Sequence, residues 1–306
     1  MGCFFVSKIR NITEHTNLIS EYEGIFRCPV CMNQMRMVHR KSLLCTKGHC
    51  LDLSKHGYIN LLTRASNTKY SKQMFKSRRA ICKGGFFEPL IEIISKKIMT
   101  ETSKKRINIL DAGCGEGSHL SSIQEKISQD TALNPLGVGI DISKEGISLA
   151  SREYPNAIWC VTDLAHCPFA GEQFDFILNI LSPSNYSEFT RMITDDGMVI
   201  KVIPNRDYLK ELREAFYNET NRQEYSNDKT LALFKSHFQL VDVEQVRYRF
   251  ALDHTPIESL LQMTPLSWGS TEEGLQKILQ MDVPEITIHL TILFGKKNRT
   301  TGLTNI

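Results

Sequence analysis

Asp111-Ala-Gly-Cys-Gly-Glu-Gly117 decides how the rest of this 306-residue chain is read. The apolar run Ile107, Ile109, Leu110 leads into it, and a helical pattern begins near Ser118. A β-branched run that ends in a glycine-rich turn and opens a helix brings bare backbone N–H groups and the positive end of a helix dipole to one ligand. The pattern therefore predicts a nucleotide-cofactor site. A nicotinamide fingerprint needs G-x-G-x-x-G, and a phosphate-binding P-loop needs Lys then Ser or Thr after its last glycine. Neither is present. Instead the turn begins with an acid, Asp111, and a second acid, Asp141, ends the next apolar run, Leu136 to Ile140. Loop and acid together at βαβ spacing weigh against a glycine turn that binds nothing.

The spacing Asp-x-Gly-x-Gly-x-Gly with a second acid resembles class I S-adenosylmethionine-dependent methyltransferases. This cofactor has no phosphate, so the turn accommodates its amino-acid and ribose parts closely, while a carboxylate after strand two accepts the ribose hydroxyls. Gly113, Gly115 and Gly117 are expected to form the turn, with Ser118, His119 and Leu120 presenting the first backbone groups of the next helix. Asp141 is expected to hold the ribose. Asp163, in Val161-Thr-Asp-Leu164, is the expected adenine contact, with a turn or N-cap acid as its competing role. His119 reads as a helix-start residue near the methionine moiety rather than a base. Asn179-Ile-Leu-Ser-Pro183 ends strand four beside the transferred methyl group. Adenine amino-methyltransferases often carry Asn or Asp-Pro-Pro-aromatic there, and the departure argues against that acceptor.

The formal net charge is only +3, so the overall balance names no partner; its distribution does. Between Arg36 and Lys83 twelve Lys and Arg residues face a single acid, Asp52. That asymmetry is the footprint of a polyanion partner, set against a merely solvated basic face. No apolar run approaches the length of a membrane span. Gly2-Cys-Phe-Phe-Val6 is too short for a signal-peptide core and has Val where a myristoylation motif wants Ser or Thr. Nine cysteines, an odd number, fit a reducing compartment where some bind metal and others pack as small apolar groups. The expected location is cytoplasmic, without a membrane partner.

Residues 1–24 carry no repeat and no assignable function. At Cys28 the character changes: Cys28-Pro-Val-Cys31 is followed by Cys45-Thr-Lys-Gly-His49. Two residues between the first pair form a knuckle that aims both thiolates at one point, and a second pair across a short hairpin completes a tetrahedron for structural zinc. The predicted ligands are Cys28, Cys31, Cys45 and His49, with Cys50 able to replace His49. Unligated hairpin cysteines are the alternative. The expected divisions are a zinc-binding RNA-recognition domain over 25–62, a basic linker and helix over 63–88, and the methyltransferase domain over 89–298. A helix is expected from Arg78, broken at Gly84-Gly85 and resumed at Pro89. Phe86 and Phe87, in that break, suit the core, with one of them able to wall the cofactor. Strands are expected at 107–112, 136–141, 157–162, 174–181 and 197–203, helices at about 118–128, 144–153, 184–193 and 206–219. Leu240–Leu252 and Ile286–Phe294 read as a closing hairpin pair, with helical periods at Pro256–Met263 and Glu272–Leu279 between them. Asp195-Asp-Gly197 reads as the turn into the fifth strand. Such alternation specifies an α/β, Rossmann-like, doubly wound sheet with the ligand at the carboxyl ends of its strands.

Several segments occur together: the Cys-Pro-x-Cys knuckle, Lys55-His-Gly-Tyr-Ile-Asn-Leu-Leu62, Arg78-Arg-Ala before Gly85-Phe-Phe-Glu-Pro-Leu90, the glycine loop, Pro204-Asn-Arg-Asp-Tyr-Leu-Lys-Glu-Leu212, and Leu261-Gln-Met-Thr-Pro265 with Trp268. In this order they resemble the RlmA family of 23S ribosomal RNA guanine-N1 methyltransferases, from about residue 26 to 295. The resemblance implies methylation of a guanine N1 in a hairpin loop of domain II, by a homodimer whose zinc domains help form an RNA cleft. It places zinc on Cys28, Cys31, Cys45 and His49, and cofactor contacts on Phe87, His119, Leu120 and Tyr208. Asn179-Ile-Leu-Ser-Pro-Ser184 looks more like the Gram-positive type of the family. Guanine N1 carries a proton and is a poor nucleophile, so the proton must be helped away; no base stands out in the sequence. The competing readings are a zinc-bearing RNA-binding protein with a vestigial methyltransferase fold, and a small-molecule methyltransferase.

Overall fold

The computed structural model describes residues 2–65, 68, 70–130, 132–216, 226–252, 257–264 and 284–298. Residues 1–24, which offered no reading as sequence, contain helix α1 (Gly2–Glu21). His15 docks it: Nε2 donates to the Ser151 carbonyl at 2.7 Å. A Cβ built on Gly57 would lie 2.3 Å from that ring, so this left-handed glycine (φ 88°) leaves the space the imidazole fills. The chain then forms an antiparallel sheet of β1 (Met35–Val38), β2 (Ser42–Cys45) and β3 (Cys50–Asp52). Strand β4 (Ile59–Asn60) leaves this ribbon and joins the edge of the large sheet.

Helix α2 (Lys72–Lys83) starts six residues before the expected Arg78, because the Ser71 hydroxyl accepts from the Met74 N–H (3.1 Å) and caps it. The basic charges between masked the signal, since only Met74, Phe75, Ser77 and Ile81 face inward. After the glycine break, α3 (Glu88–Glu101) carries Pro89 in its first turn, where the missing N–H costs nothing.

The large sheet uses β5 (Arg106–Ala112), β6 (Asn134–Asp141), β7 (Ala157–Val161), β8 (Phe174–Ile180), β9 (Ile193–Pro204), β10 (Phe238–Ala251) and β11 (Glu285–Lys297). Their order, β4-β7-β6-β5-β8-β9-β11-β10, is parallel except where β11 pairs antiparallel with β9 and β10. The strand order reverses between β5 and β8, which opens a crevice at their carboxyl ends. Both faces are covered, so the central strands read as continuous apolar runs rather than alternating ones. One face buries Ile107, Ile109, Trp159, Leu178 and Ile200 under α3, α4 (Ser118–Asp130) and α5 (Lys144–Glu153). The other buries Leu110, Val138, Ile158, Ile177 and Val199 under α1, the ribbon and α6 (Tyr186–Met192).

Two expectations shift. Asp195-Asp-Gly197 is not a turn before the fifth strand but a bulge inside β9: Phe174 pairs with Ile193 and Phe176 with Met198. A Cβ on Gly197 would stand 2.6 Å from Ile193 and 2.8 Å from the Asp175 carbonyl. Beyond α7 (Lys210–Phe216), α8 (Asp228–His237) was not expected; Phe234 is its one buried residue, packed on Phe238, so it has almost no apolar period to read. Helix α9 (Ile257–Met263) matches the helical period that ends at Met263. Pro256, Pro265, Trp268 and the Glu272–Leu279 period lie outside the described residues.

Candidate active site and zinc centre

The knuckle and the β2–β3 hairpin bring Cys28, Cys31, Cys45 and His49 together, with their ligand atoms all within 4.8 Å of one another. His49 Nδ1 lies 3.4 Å from Cys28 Sγ and 3.4 Å from Cys45 Sγ, and the Cys31 and Cys45 sulfurs are 3.8 Å apart. Zn–S bonds of about 2.3 Å and a Zn–N bond of about 2.0 Å in a tetrahedron set ligand-atom edges near 3.5–3.8 Å. The donor set fits zinc. Cys50 is exposed at the start of β3, outside the cluster, so the group that stands beside the three thiols is His49.

A cavity of about 760 Å³ opens at the carboxyl ends of the parallel strands. Its size falls in the upper part of the range for small-molecule sites, roughly 300–1,000 Å³. Gly113, Gly115, Asp141, Asp163, Phe87 and Tyr208 all line it. Gly117, His119 and Leu120 stand behind the turn, Leu120 with its side chain in the core. The three glycines have φ of 86°, 60° and 85°. A Cβ on Gly113 would meet the Ser182 hydroxyl at 2.6 Å, and one on Gly117 would meet Trp159 at 2.5 Å. Gly117 is thus required by helix-to-strand packing rather than by a ligand. Asp141 accepts from the Gly115 N–H (2.9 Å) and the Ser143 N–H (2.8 Å), and burial raises its pKa despite those bonds. Asp163 lines the cavity and also accepts from the Ala165 N–H (2.9 Å), so one carboxylate closes its own turn and faces the ligand space. Phe87 walls the cavity and meets the His119 ring edge-on at 4.7 Å, whereas Phe86 is core.

Arg78 of α2 reaches over the glycine turn, where sequence reading did not place it. Its Nε is 4.0 Å from Glu116 Oε1 and one terminal nitrogen is 3.3 Å from His119 Nδ1. Asp111, Glu116 and Asp141 surround this cation; among the described residues neither Glu116 oxygen, nor Asp111 Oδ2, nor His119 Nε2 has a hydrogen-bond partner. Burial pushes the Asp111 carboxyl up to about 7, with Arg78 opposing, and burial holds His119 well below the usual imidazole value. Three acids to one half-buried cation suit S-adenosylmethionine, whose sulfonium and ammonium outnumber its one carboxylate. Of the three acids, Asp141 lines the cavity itself, while Asp111 and Glu116 lie buried beneath Arg78.

After β8 the chain turns at Leu181, held at φ 52°, and Ser182 and Pro183 edge the cavity. Asn179 is buried beneath: Nδ2 donates to the carbonyls of Ala112 (2.8 Å) and Pro183 (2.8 Å). The amide is thereby committed to shaping the loop. Lys201 on β9 lines the same cavity, only 5 % exposed, and donates to Asn179 Oδ1 at 2.5 Å and to the Ser182 carbonyl at 2.7 Å. Sequence offered no signal for it, because a lysine inside Met198-Val-Ile-Lys-Val-Ile203 reads as a strand residue.

Residues 26–72 match the zinc-ribbon family described as RlmA, N-terminal, and residues 109–196 match a methyltransferase domain family. YxjB of Bacillus subtilis strain 168, which bears the provisional name 23S rRNA (guanine-N(1)-)-methyltransferase, is 41 % identical over 277 residues, covering 90 % of this chain and 98 % of its own. The chain belongs to the RlmA family. A Streptomyces fradiae member named 23S rRNA (guanine(748)-N(1))-methyltransferase is 27 % identical over 270 residues, covering 87 % of this chain and 94 % of its own.

Within an RlmA-family chain the rest of the resemblance acquires positions. Gln262 accepts from the Ser77 hydroxyl (2.7 Å), tying α9 to α2, while Met263 and Thr264 line the cavity. Pro204, Asn205 and Tyr208 line it as well. The basic segment divides: Arg36, Arg40, Lys41, Lys47, Lys55, Arg64, Lys72 and Lys76 are exposed, whereas Arg79 pairs with Glu153 at 2.6 Å and Lys83 with the same acid at 3.3 Å.

Proposed function

We propose that this protein methylates N1 of a guanine in a hairpin loop of 23S ribosomal RNA, using S-adenosylmethionine, and that it works as a cytoplasmic homodimer. The observation that carries the reading is the placement of α2. This helix follows the zinc ribbon directly, yet Met74, Phe75 and Arg78 wall the cofactor cavity. RNA held by the ribbon and its basic surface would meet the cavity without an intervening domain. A small-molecule methyltransferase has no use for that coupling. No helix among the described residues is long and apolar enough to cross a membrane.

The cofactor sits, in this reading, on the turn built by Gly113, Gly115 and Gly117, the first two facing it and the third packed behind, with Asp141 accepting from the ribose hydroxyls and Asp163 from the adenine amine. Phe87 and Tyr208 stack, and the backbone around His119 and Leu120 faces the methionine end. The module over 25–62 and the domain over 89–298 are the RNA-gripping and methyl-transferring parts, joined by 63–88. Guanine 748, the nucleotide in the Streptomyces relative's name, is the first acceptor to examine. Reverse transcription on 23S rRNA from a deletion strain should lose one stop that returns when the purified enzyme and cofactor are added, because an N1 methyl blocks pairing. A stop pattern identical with and without the gene would overturn the assignment.

A further inference from the structure

Lys201 lines the cavity together with Ser182 and Pro183 after β8 and Pro204 and Asn205 at the end of β9. Its bonding has a definite stoichiometry. The Asn179 side chain is oriented by its Nδ2, which faces two carbonyl oxygens, so Oδ1 must face Lys201 and can only accept. The second partner of Nζ, the Ser182 carbonyl, also only accepts. Two N–H bonds are therefore consumed by the protein. A neutral amine has two N–H bonds and one lone pair, so this cradle leaves the lone pair uncommitted. Parallel register pairs Asn179 with Lys201, and both sit on rigid strands, so the arrangement is not a loop accident.

We infer that Lys201 is the catalytic residue that takes the N1 proton of the guanine during methyl transfer, an inference resting on the guanine-N1 reading above. The N1–CH3 bond forms as the sulfonium S–CH3 bond breaks, the sulfur keeping that electron pair as a neutral thioether. The N1–H electron pair stays on the base, and the proton passes to Nζ, giving an ammonium that afterwards loses it to water. Among the described residues no carboxylate pairs with Nζ to hold it protonated beforehand; burial lowers its pKa, to about 8. The charged and titratable groups sharing the cavity, among the described residues, are Tyr70, Arg78, Asp141, Asp163, Tyr208 and Arg213. A base with a pKa near working pH is the most effective kind.

The test is single-turnover methylation of an rRNA hairpin by wild type, Lys201→Met, Lys201→Arg and Lys201→Ala between pH 6 and 10. Titration with S-adenosylmethionine is run in parallel. Wild type should quicken with a midpoint near pH 8. The Met and Arg variants should lose roughly 10²–10⁴-fold in the transfer step while binding cofactor within a few-fold of wild type. Ethylamine should restore the Ala variant in proportion to its free-base concentration. Full activity in Lys201→Arg would show that a cation suffices and overturn the proposal, as would loss in Lys201→Ala that no amine rescues. A wild-type enzyme that leaves guanine N1 unmodified would instead sink the substrate reading, before Lys201 is at issue.

Discussion

Arg78 and Glu116 meet above the glycine turn, with Nε 4.0 Å from Oε1, and the acid has no hydrogen-bond partner among the described residues. Glu116 is 1 % exposed and Arg78 is contributed by the helix after the ribbon. The pair therefore ties the RNA-side segment to the cofactor loop. Breaking a buried pair from one side leaves an uncompensated charge, typically at a cost of about 3–5 kcal/mol, and this one is partly open at Arg78. Arg78→Met should destabilise the protein by about 2–4 kcal/mol in urea unfolding, and Glu116→Gln should relieve part of that loss. Additive effects in the double-mutant cycle would show that the two side chains do not interact.

Asp111 gives a pH signature. Burial raises its pKa from an ordinary carboxylate value to about 7 in the folded protein. A carboxyl whose folded pKa is raised stabilises the fold at low pH, where it is protonated in both states. That contribution disappears as pH climbs from about 4 through 7. Asp111→Asn cannot ionise, so its melting temperature should gain on wild type across that window, by the equivalent of a few kcal/mol at most. Parallel melting curves from pH 4 to 8 would place a stable counter-charge on Asp111.

Gly117 separates packing from binding. At φ 85°, a methyl group there would lie 2.5 Å from Trp159 and 3.0 Å from the Ala150 Cβ. Gly117→Ala should cost about 2–4 kcal/mol of stability through strain and overpacking. Trp159→Leu in the same protein should recover some of it, a result that a purely cofactor-binding glycine would not give. Fluorescence-monitored unfolding of the single and double variants distinguishes the two.

The methyltransferase sheet was legible because its strands are buried on both faces, so several announce themselves as largely apolar runs, Ala157–Val161 without a break. The zinc ligands were legible because the Cys-x-x-Cys knuckle is local. What the sequence hid was long-range or sparsely patterned. Helix α1 is held by His15 on carbonyls 136 and 142 residues away, α8 by little more than Phe234. Arg78 looks in sequence like one more charge of a basic run, and Lys201 like a strand residue; only the fold turns each towards the cavity. The same holds for Arg79, whose partner Glu153 is far along the chain.

That division within the basic run leads to a prediction about RNA. Lys41, Lys72 and Lys76 are exposed, on the ribbon and on the helix that walls the cavity, so they are free to neutralise phosphates. Arg79, ion-paired with Glu153 at 2.6 Å, already has an anion and would have to exchange it. Each phosphate contact to a single strand contributes about 0.7 to the slope of log affinity against log salt. Replacing Lys41, Lys72 and Lys76 together by Gln should flatten the slope for an rRNA hairpin loop by up to about 2, with cofactor affinity unchanged. Arg79→Gln alone should move the slope by much less than 0.7, since its charge is already spent within the protein. If the Arg79 variant flattened the slope as much as the triple variant, the RNA would approach along the α2–α5 side and displace Glu153, and the ribbon's exposed charges would be a solvated surface.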